Sequence, residues 1–150
     1  KTDEKVTFDV NEYVGEITVI NNTGYLKVMD PETGNQVKVF SKNDNNIPTQ
    51  IRAQHYELQN YFGQTLDTIE VKVNKKVTID VNEYVGTITF ANNTGYVKMV
   101  DRETGDQVTV FSKNDNNKPT QIRAGTYQLV QEEIVIGEVD IVPKEEVIVE

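Results

Sequence analysis

Apolar and polar residues alternate in short runs along this chain, and residues that favour turns separate the runs. Val6, Phe8 and Val10 alternate with Thr7 and Asp9, the period-two pattern of a half-buried strand. Asn11 and Glu12 interrupt it. After Gly15 a second run places Ile17 and Val19 on one face and Thr18 on the other. Asn21-Asn22-Thr23-Gly24 has turn chemistry, because Asn and Gly tolerate positive φ. Tyr25 to Met29 predicts a third strand, and Asp30-Pro31-Glu32-Thr33-Gly34 a second turn. Gln36 to Phe40 predicts a fourth strand, with Val37 and Val39 on the face opposite Lys38 and Phe40. Ser41 to Pro48 is a polar loop. Gln50 to Leu58 predicts a fifth strand and Thr68 to Val73 a sixth, with Ile69, Val71 and Val73 in register. No window sustains a helical period over three turns, and Gln59 to Leu66 holds at most one short turn. Short strands divided by turn signals predict a small β-sandwich or barrel.

The pattern then repeats. Val6 to Leu58 returns as Val77 to Leu129 at an offset of 71, with 39 of 53 positions identical and 14 different. A fixed period of this kind is the mark of a modular array. The expected organisation is all-β: two tandem small β-sandwich modules of immunoglobulin-like type, residues 1–73 and 74–150. Residues 144–150 resemble the opening strand of a further copy. The expected linker, Val73 to Lys76, has neither Gly nor Pro and is too short to be a floppy spacer. Phe8 and Val19 become Ile79 and Phe90. A swap that nearly keeps volume predicts contact between residues 8 and 19, and between 79 and 90.

Composition narrows the function. The net charge of −9 argues against nucleic acid and anionic membrane surfaces as partners. No apolar run reaches the ~20 residues of a membrane span, and nothing reads as a signal peptide. There is no Cys, so modules this small must find support other than disulfides, such as a neighbouring module. The chain reads as a fragment of a longer, extracellular protein. The lone His55 is Thr126 in the second copy, so a Ser-His-Asp set cannot be built twice, and no enzyme activity is expected.

Two candidate sites remain. Ser41 to Asn46 returns as Ser112 to Asn117, and its oxygen-rich run nominates Asn43, Asp44, Asn45, Asn114, Asp115 and Asn116 as Ca²⁺ ligands. The EF-hand spacing is missing, so no cofactor is expected beyond that one candidate metal. Tyr13, Tyr25, Tyr84 and Tyr96, with Arg52 and Arg123, are the candidate ligand-binding residues, since tyrosine rings offer flat faces for a sugar. Asn21-Asn22-Thr23 and Asn92-Asn93-Thr94 fit the N-glycosylation pattern, but they read first as turns.

Tyr96 to Asp101, Thr104-Gly105 and Ile122 to Val130, with its Gly125-Thr126-Tyr127-Gln128-Leu129 run, resemble the Cna-B-like and prealbumin-like modules of Gram-positive adhesins and pilins. The resemblance covers roughly 40 residues of each copy. It implies a small β-sandwich acting as a stalk or ligand-binding module. Many such modules carry a Lys–Asn isopeptide bond assisted by an acid. Lys27 and Lys98 stand where the lysine is expected, but the acid's place falls near Asn60 and Gln131, so no crosslink is expected here.

The expected function is a non-catalytic repeat of a bacterial cell-surface protein, a wall-attached stalk that projects an adhesive region. Its expected partners are neighbouring repeats, with host or cell-wall glycan or protein as ligand, and the chain is expected to be monomeric. The alternative is a carbohydrate- or protein-binding module of an adhesin or of an extracellular enzyme.

Overall fold

The alternation after Gly15 produces the strand on which the first unit is built. In the computed structural model, which describes residues 5–150, β1 (Val14–Ile20) fully buries Ile17 and Val19 on one face. The chain continues through β2 (Leu26–Met29), β3 (Gln36–Phe40), β4 (Thr49–Arg52), β5 (His55–Asn60), β6 (Thr65–Glu70) and β7 (Lys76–Asp80). The series returns as β8 (Val85–Phe90), β9 (Val97–Asp101), β10 (Gln107–Phe111), β11 (Thr120–Arg123), β12 (Gly125–Gln131), β13 (Ile134–Ile141) and β14 (Glu146–Val149). Each unit pairs a three-stranded with a four-stranded sheet: β4-β1-β7 with β3-β2-β5-β6, then β11-β8-β14 with β10-β9-β12-β13. Each has its own apolar core, so the chain is all-β in two sandwich-like units. The helical content among the described residues is four short 3-10 turns.

The boundary between the units does not fall at residue 73. β7, which the repeat places at the head of the second copy, pairs in parallel with β1, from Glu16↔Lys76 to Ile20↔Asp80. Its Ile79 is 2% exposed and belongs to the first core, together with Val81 and Val85. β14 does the same for the second unit, pairing in parallel with β8 from Glu146↔Thr87 to Val149↔Phe90. Without β7, β4 and β1 would form a two-stranded ribbon with an open edge, which is marginal in water. Each unit is therefore completed by the strand that opens the next copy.

This pairing corrects two expectations. Val6 to Asp9 is not a strand, and Val6 and Phe8 are 79% and 72% exposed. Phe8 cannot meet Val19, because Ile79 sits beside Val19 and Val149 beside Phe90. The sizes balance across those pairs: Phe90 stacks on Phe111 with centroids 4.6 Å apart and faces the smaller Val149. Val19 faces the larger Ile79.

The fifth strand divides. β4 lies in the three-stranded sheet and β5 in the four-stranded one, with a bend at Ala53-Gln54. The Tyr56 hydroxyl donates to the Arg52 carbonyl across that bend at 2.7 Å, and Tyr127 donates to Arg123 at 2.6 Å. A buried tyrosine tying down such a corner is a device of immunoglobulin-like sandwiches. Burial pushes both phenols upward in pKa, since a charged ring would be poorly solvated there. β3 also turns the other way from its expected phase: Phe40 enters the core and Val37 is exposed. A register shift at Val28/Met29 allows this.

Gly15 and Gly86 occur where the crossover from β6 to β7, or from β13 to β14, passes over the first strand of each unit. A Cβ on Gly15 would collide with the Lys72 carbonyl and the Val71 side chain, and one on Gly86 with the Val142 carbonyl and Ile141. The backbone is close there because Asn74 and Lys144 donate to the carbonyls of Val14 and Val85.

Two outcomes follow from this arrangement. Ile79→Ala should lower the stability of the first unit by about 2–4 kcal/mol and leave the second transition in place, as read by thermal unfolding with residue-resolved hydrogen exchange. Loss confined to the second unit would refute the strand assignment. Gly15→Ala should cost the first unit about 1–3 kcal/mol, and Gly86→Ala the second.

Candidate functional site

The junction between the units is the most built-up surface of the chain. Its link is a 3-10 turn, Val81–Glu83, followed by Tyr84. Asp80 caps that turn: its Oδ1 accepts from the Asn82 amide at 3.0 Å and from the Asn21 side chain at 3.0 Å. Val81 and Val85 on either side are buried in the first core. The link is thus held at both ends. Val73 to Lys76, expected as the linker, instead forms the crossover inside the first unit, where Asn74 takes a φ of 57°.

The tip of the β5–β6 hairpin reaches across to the second unit. Phe62 packs against the second core. Gln64 Nε2 donates to the Tyr127 hydroxyl at 2.8 Å, and Gln64 Oε1 accepts from the Arg123 amide at 3.3 Å. The Arg123 guanidinium donates to Asp101 Oδ2 at 2.7 Å and to the Thr65 carbonyl at 3.5 Å. Asp101 is buried, so this charge-assisted bond keeps a carboxylate from being stranded away from water. On the other flank Gln121 donates to the Asn21 carbonyl at 3.0 Å and accepts from the Thr23 amide at 3.2 Å. Tyr84 donates to Asp67 Oδ2 at 3.0 Å. Burial, the bond to Asp67 and the negative charge around it push the Tyr84 phenol up to about 12.

Between these contacts lies a cleft of about 300 Å³. Tyr25, Tyr61 and Phe62 form its aromatic wall, with Tyr25–Tyr61 centroids 5.9 Å apart and the Tyr61–Phe62 pair edge to face at 5.5 Å. Asn22, Asn60 and Gln121 supply amides to the same lining. Among the described residues no carboxylate, imidazole or amine side chain lines it, and the lining offers stacking and hydrogen bonds. At the far end of the second unit the corresponding Asn93, Thr94, Val97, Gln131 and Ile136 border a hollow of about 180 Å³.

The structure scatters the residues nominated from sequence. Tyr25 lines the cleft, but its ring partner is Tyr61. Tyr84 and Arg123 belong to the junction. Tyr13, Tyr96 and Arg52 are exposed and do not line the cleft. The oxygen-rich loops spend their side chains on their own backbone. Asp44 accepts from the Ser41 amide at 2.7 Å and its hydroxyl at 3.0 Å, closing a capping box around Asn43, and Asp115 and Ser112 repeat it around Asn114. The bonds from Ser41 hold the Asp44 carboxyl below its usual range. Asn45 and Asn116 clamp Asn22 and Asn93 through reciprocal side-chain to backbone bonds. Among the described residues no group of three or more His, Cys, Asp or Glu converges as a metal site. Lys98 forms an exposed pair with Glu133 at 3.3 Å. Tyr61, Phe62, Gln64 and Gln121 are not among the residues nominated from sequence. The signal for the first three was divergence: Tyr61-Phe62-Gly63-Gln64 stands where the second copy has Glu132-Glu133-Ile134-Val135.

No protein-family model matches the chain, and no curated protein matches it. Among solved structures it is similar to a leucine-rich repeat protein from Bacteroides thetaiotaomicron, at 12% identity and a TM-score of 0.35 over 91% of this chain. It is also similar to the Bacillus anthracis TIE protein, at 12% identity and a TM-score of 0.33 over 91% of this chain. The chain spans 25% of the first of those proteins and 33% of the second.

Burial of Tyr84, with its bond to Asp67, carries a pH signature. The folded phenol lies near 12 against an ordinary 10.0, so its contribution is complete below pH 10 and is lost as pH rises through 12. Tyr84→Phe should flatten the decline in first-unit stability over that window and lower stability at pH 8 by about 0.5 kcal/mol. Denaturant unfolding at pH 8, 10 and 12 checks it, and an unchanged alkaline slope would contradict the raised phenol.

Proposed function

We propose that this chain is a non-catalytic spacer, a section of a stalk whose units are strung in series and carry tension between their ends. The observation that supports this best is the parallel pairing of β1 with β7, and of β8 with β14. Tension along the chain enters the first unit at the start of β1 and leaves it at the end of β7. Adjacent parallel strands loaded from opposite ends are sheared, so their hydrogen bonds share the load instead of opening one at a time. The anchored link and the hairpin contacts then limit swivelling between units. In this reading the stalk belongs to a bacterial cell surface, attached to the wall and projecting an adhesive region. The acidic, cysteine-free composition suits that setting, and the partners are neighbouring repeats of the same chain.

A second reading is favoured by one observation, the aromatic cleft. Stacked tyrosines with nearby amides suit a sugar ring, which would make the junction a carbohydrate-binding module. A glycan array of the intact chain and of Tyr61→Ala separates the two readings, since a spacer gives no Tyr61-dependent binding.

Pulling single molecules from their ends should give two separate high-force events. Val77→Pro removes a β7 amide that faces β1 and should weaken one event while sparing the other. Small-angle scattering should fit one arrangement of the units, and Phe62→Ala with Gln64→Ala should broaden it. The spacer reading is lost if the unsubstituted chain already needs a wide spread of inter-unit angles, or if Val77→Pro leaves both forces unchanged.

A further inference from the structure

We propose that Lys5–Asp9 is a docking strand whose occupant is the open β1-type edge of another unit of this design. The inference stands on the strand pairing and not on the spacer reading. Lys5-Val6-Thr7-Phe8-Asp9 corresponds to Lys76-Val77-Thr78-Ile79-Asp80, differing only at Phe8. β7 shows what that sequence does when an acceptor is present: Val77 and Ile79 pack into the preceding core and the backbone pairs with β1. β14, with Glu146-Val147-Ile148-Val149-Glu150, keeps the same two inward apolar positions between charged ends, and Val147 and Val149 pack on the second core.

The N-terminal segment already has the turn that follows a docked strand. Asp9 has φ −100° and ψ 105° and caps a 3-10 turn at Val10–Glu12, while Asp80 has φ −92° and ψ 106° and caps the turn at Val81–Glu83. Only the apolar wall is missing. Val6, Phe8 and Val10 are 79%, 72% and 58% exposed, whereas Ile79 and Val81 are 2% and 3% exposed. Such a run of exposed apolar side chains marks an interaction surface, and β7 identifies its complement.

The docked pairs also set a size preference. The small Val149 sits beside the large Phe90, and Ile79 beside the small Val19. Phe8 therefore requires a small residue at the acceptor position of Val19. Asp9 would receive the acceptor's Asn21 amide, as Asp80 does now.

The test places a second copy of residues 14–75 directly ahead of Lys5 in the otherwise intact chain, which reproduces the spacing of the existing junction. Hydrogen exchange should slow on the order of 100-fold at the Val6 and Phe8 amides relative to the unextended chain, reaching the protection of Val77 and Ile79. Phe8→Asp should unfold the added unit alone, and the same change in the unextended chain should leave its stability unaltered. Val19→Phe in the added copy should weaken docking, and Phe8→Val, which recreates the Phe90–Val149 pair, should restore it. Phe8→Ile makes the segment identical to β7, so it serves as the folding control. The proposal is overturned if the added unit folds with the Val6 and Phe8 amides still unprotected. It is equally overturned if the unit is indifferent to Phe8→Asp, or stays unfolded both with Phe8 and with Phe8→Ile.

Discussion

Everything in this fold depends on hydrogen bonds between two strands that the sequence repeat assigns to different copies. A sandwich of two plus four strands would leave β1 with an unpaired edge and the first core open where Ile79 and Val81 now sit. Buried backbone donors without partners cost free energy comparable to lost hydrogen bonds. The unit is therefore incomplete until the chain has gone on into the next copy. This dependence places the two units close together. A strand that ends at Asp80 and a strand that begins at Val85 leave four residues between them, and Val81 among these and Val85 itself are buried in the first core.

That proximity explains where the two copies have diverged. The hairpin tip of the first unit bears Tyr61, Phe62 and Gln64, which touch the second unit or line the cleft beside it. At the same place the second unit bears Glu132 and Glu133, both at positive φ, and Glu133 pairs with Lys98 of its own unit. The interior pair Val19–Ile79 became Phe90–Val149, a compensated change of the kind cores tolerate. Tip positions changed in character, because what they face differs.

The strands were legible wherever one face was buried, since period-two alternation follows directly from the pleat. Ile17 and Val19 needed nothing more. Alternation names a face but never a partner, so sheet membership and the borrowed strand were out of its reach. Val6, Phe8 and Val10 alternate as well as Val77, Ile79 and Val81, yet only the latter have a core to enter. The division of the fifth strand did leave a trace: Ile51 and Tyr56 both point inward, five positions apart, which strict alternation forbids. Phe40 was misassigned because a bulge resets the phase of an edge strand. The site was less legible. Of the nominated residues, Tyr25, Tyr84 and Arg123 fall at the junction, but what they meet there, Tyr61, Asp67 and Gln64, depends on how the units pack.

The oxygen-rich loops show what Asn and Asp side chains do for the backbone around them. Asp44, Asn45 and Asn22 lie within hydrogen-bonding reach of backbone groups that no strand satisfies. A loop crossing the open end of a sandwich has many such groups, and Asn and Asp satisfy them locally. Asn22 shows the effect most clearly, since its buried side chain donates to the Phe40 carbonyl and accepts from the Gly24 amide. The near-identity of these loops in the two copies then follows from the loop geometry that both units share. Divergence at the hairpin tip and constancy at the loops have a single origin, the neighbour that each segment must satisfy.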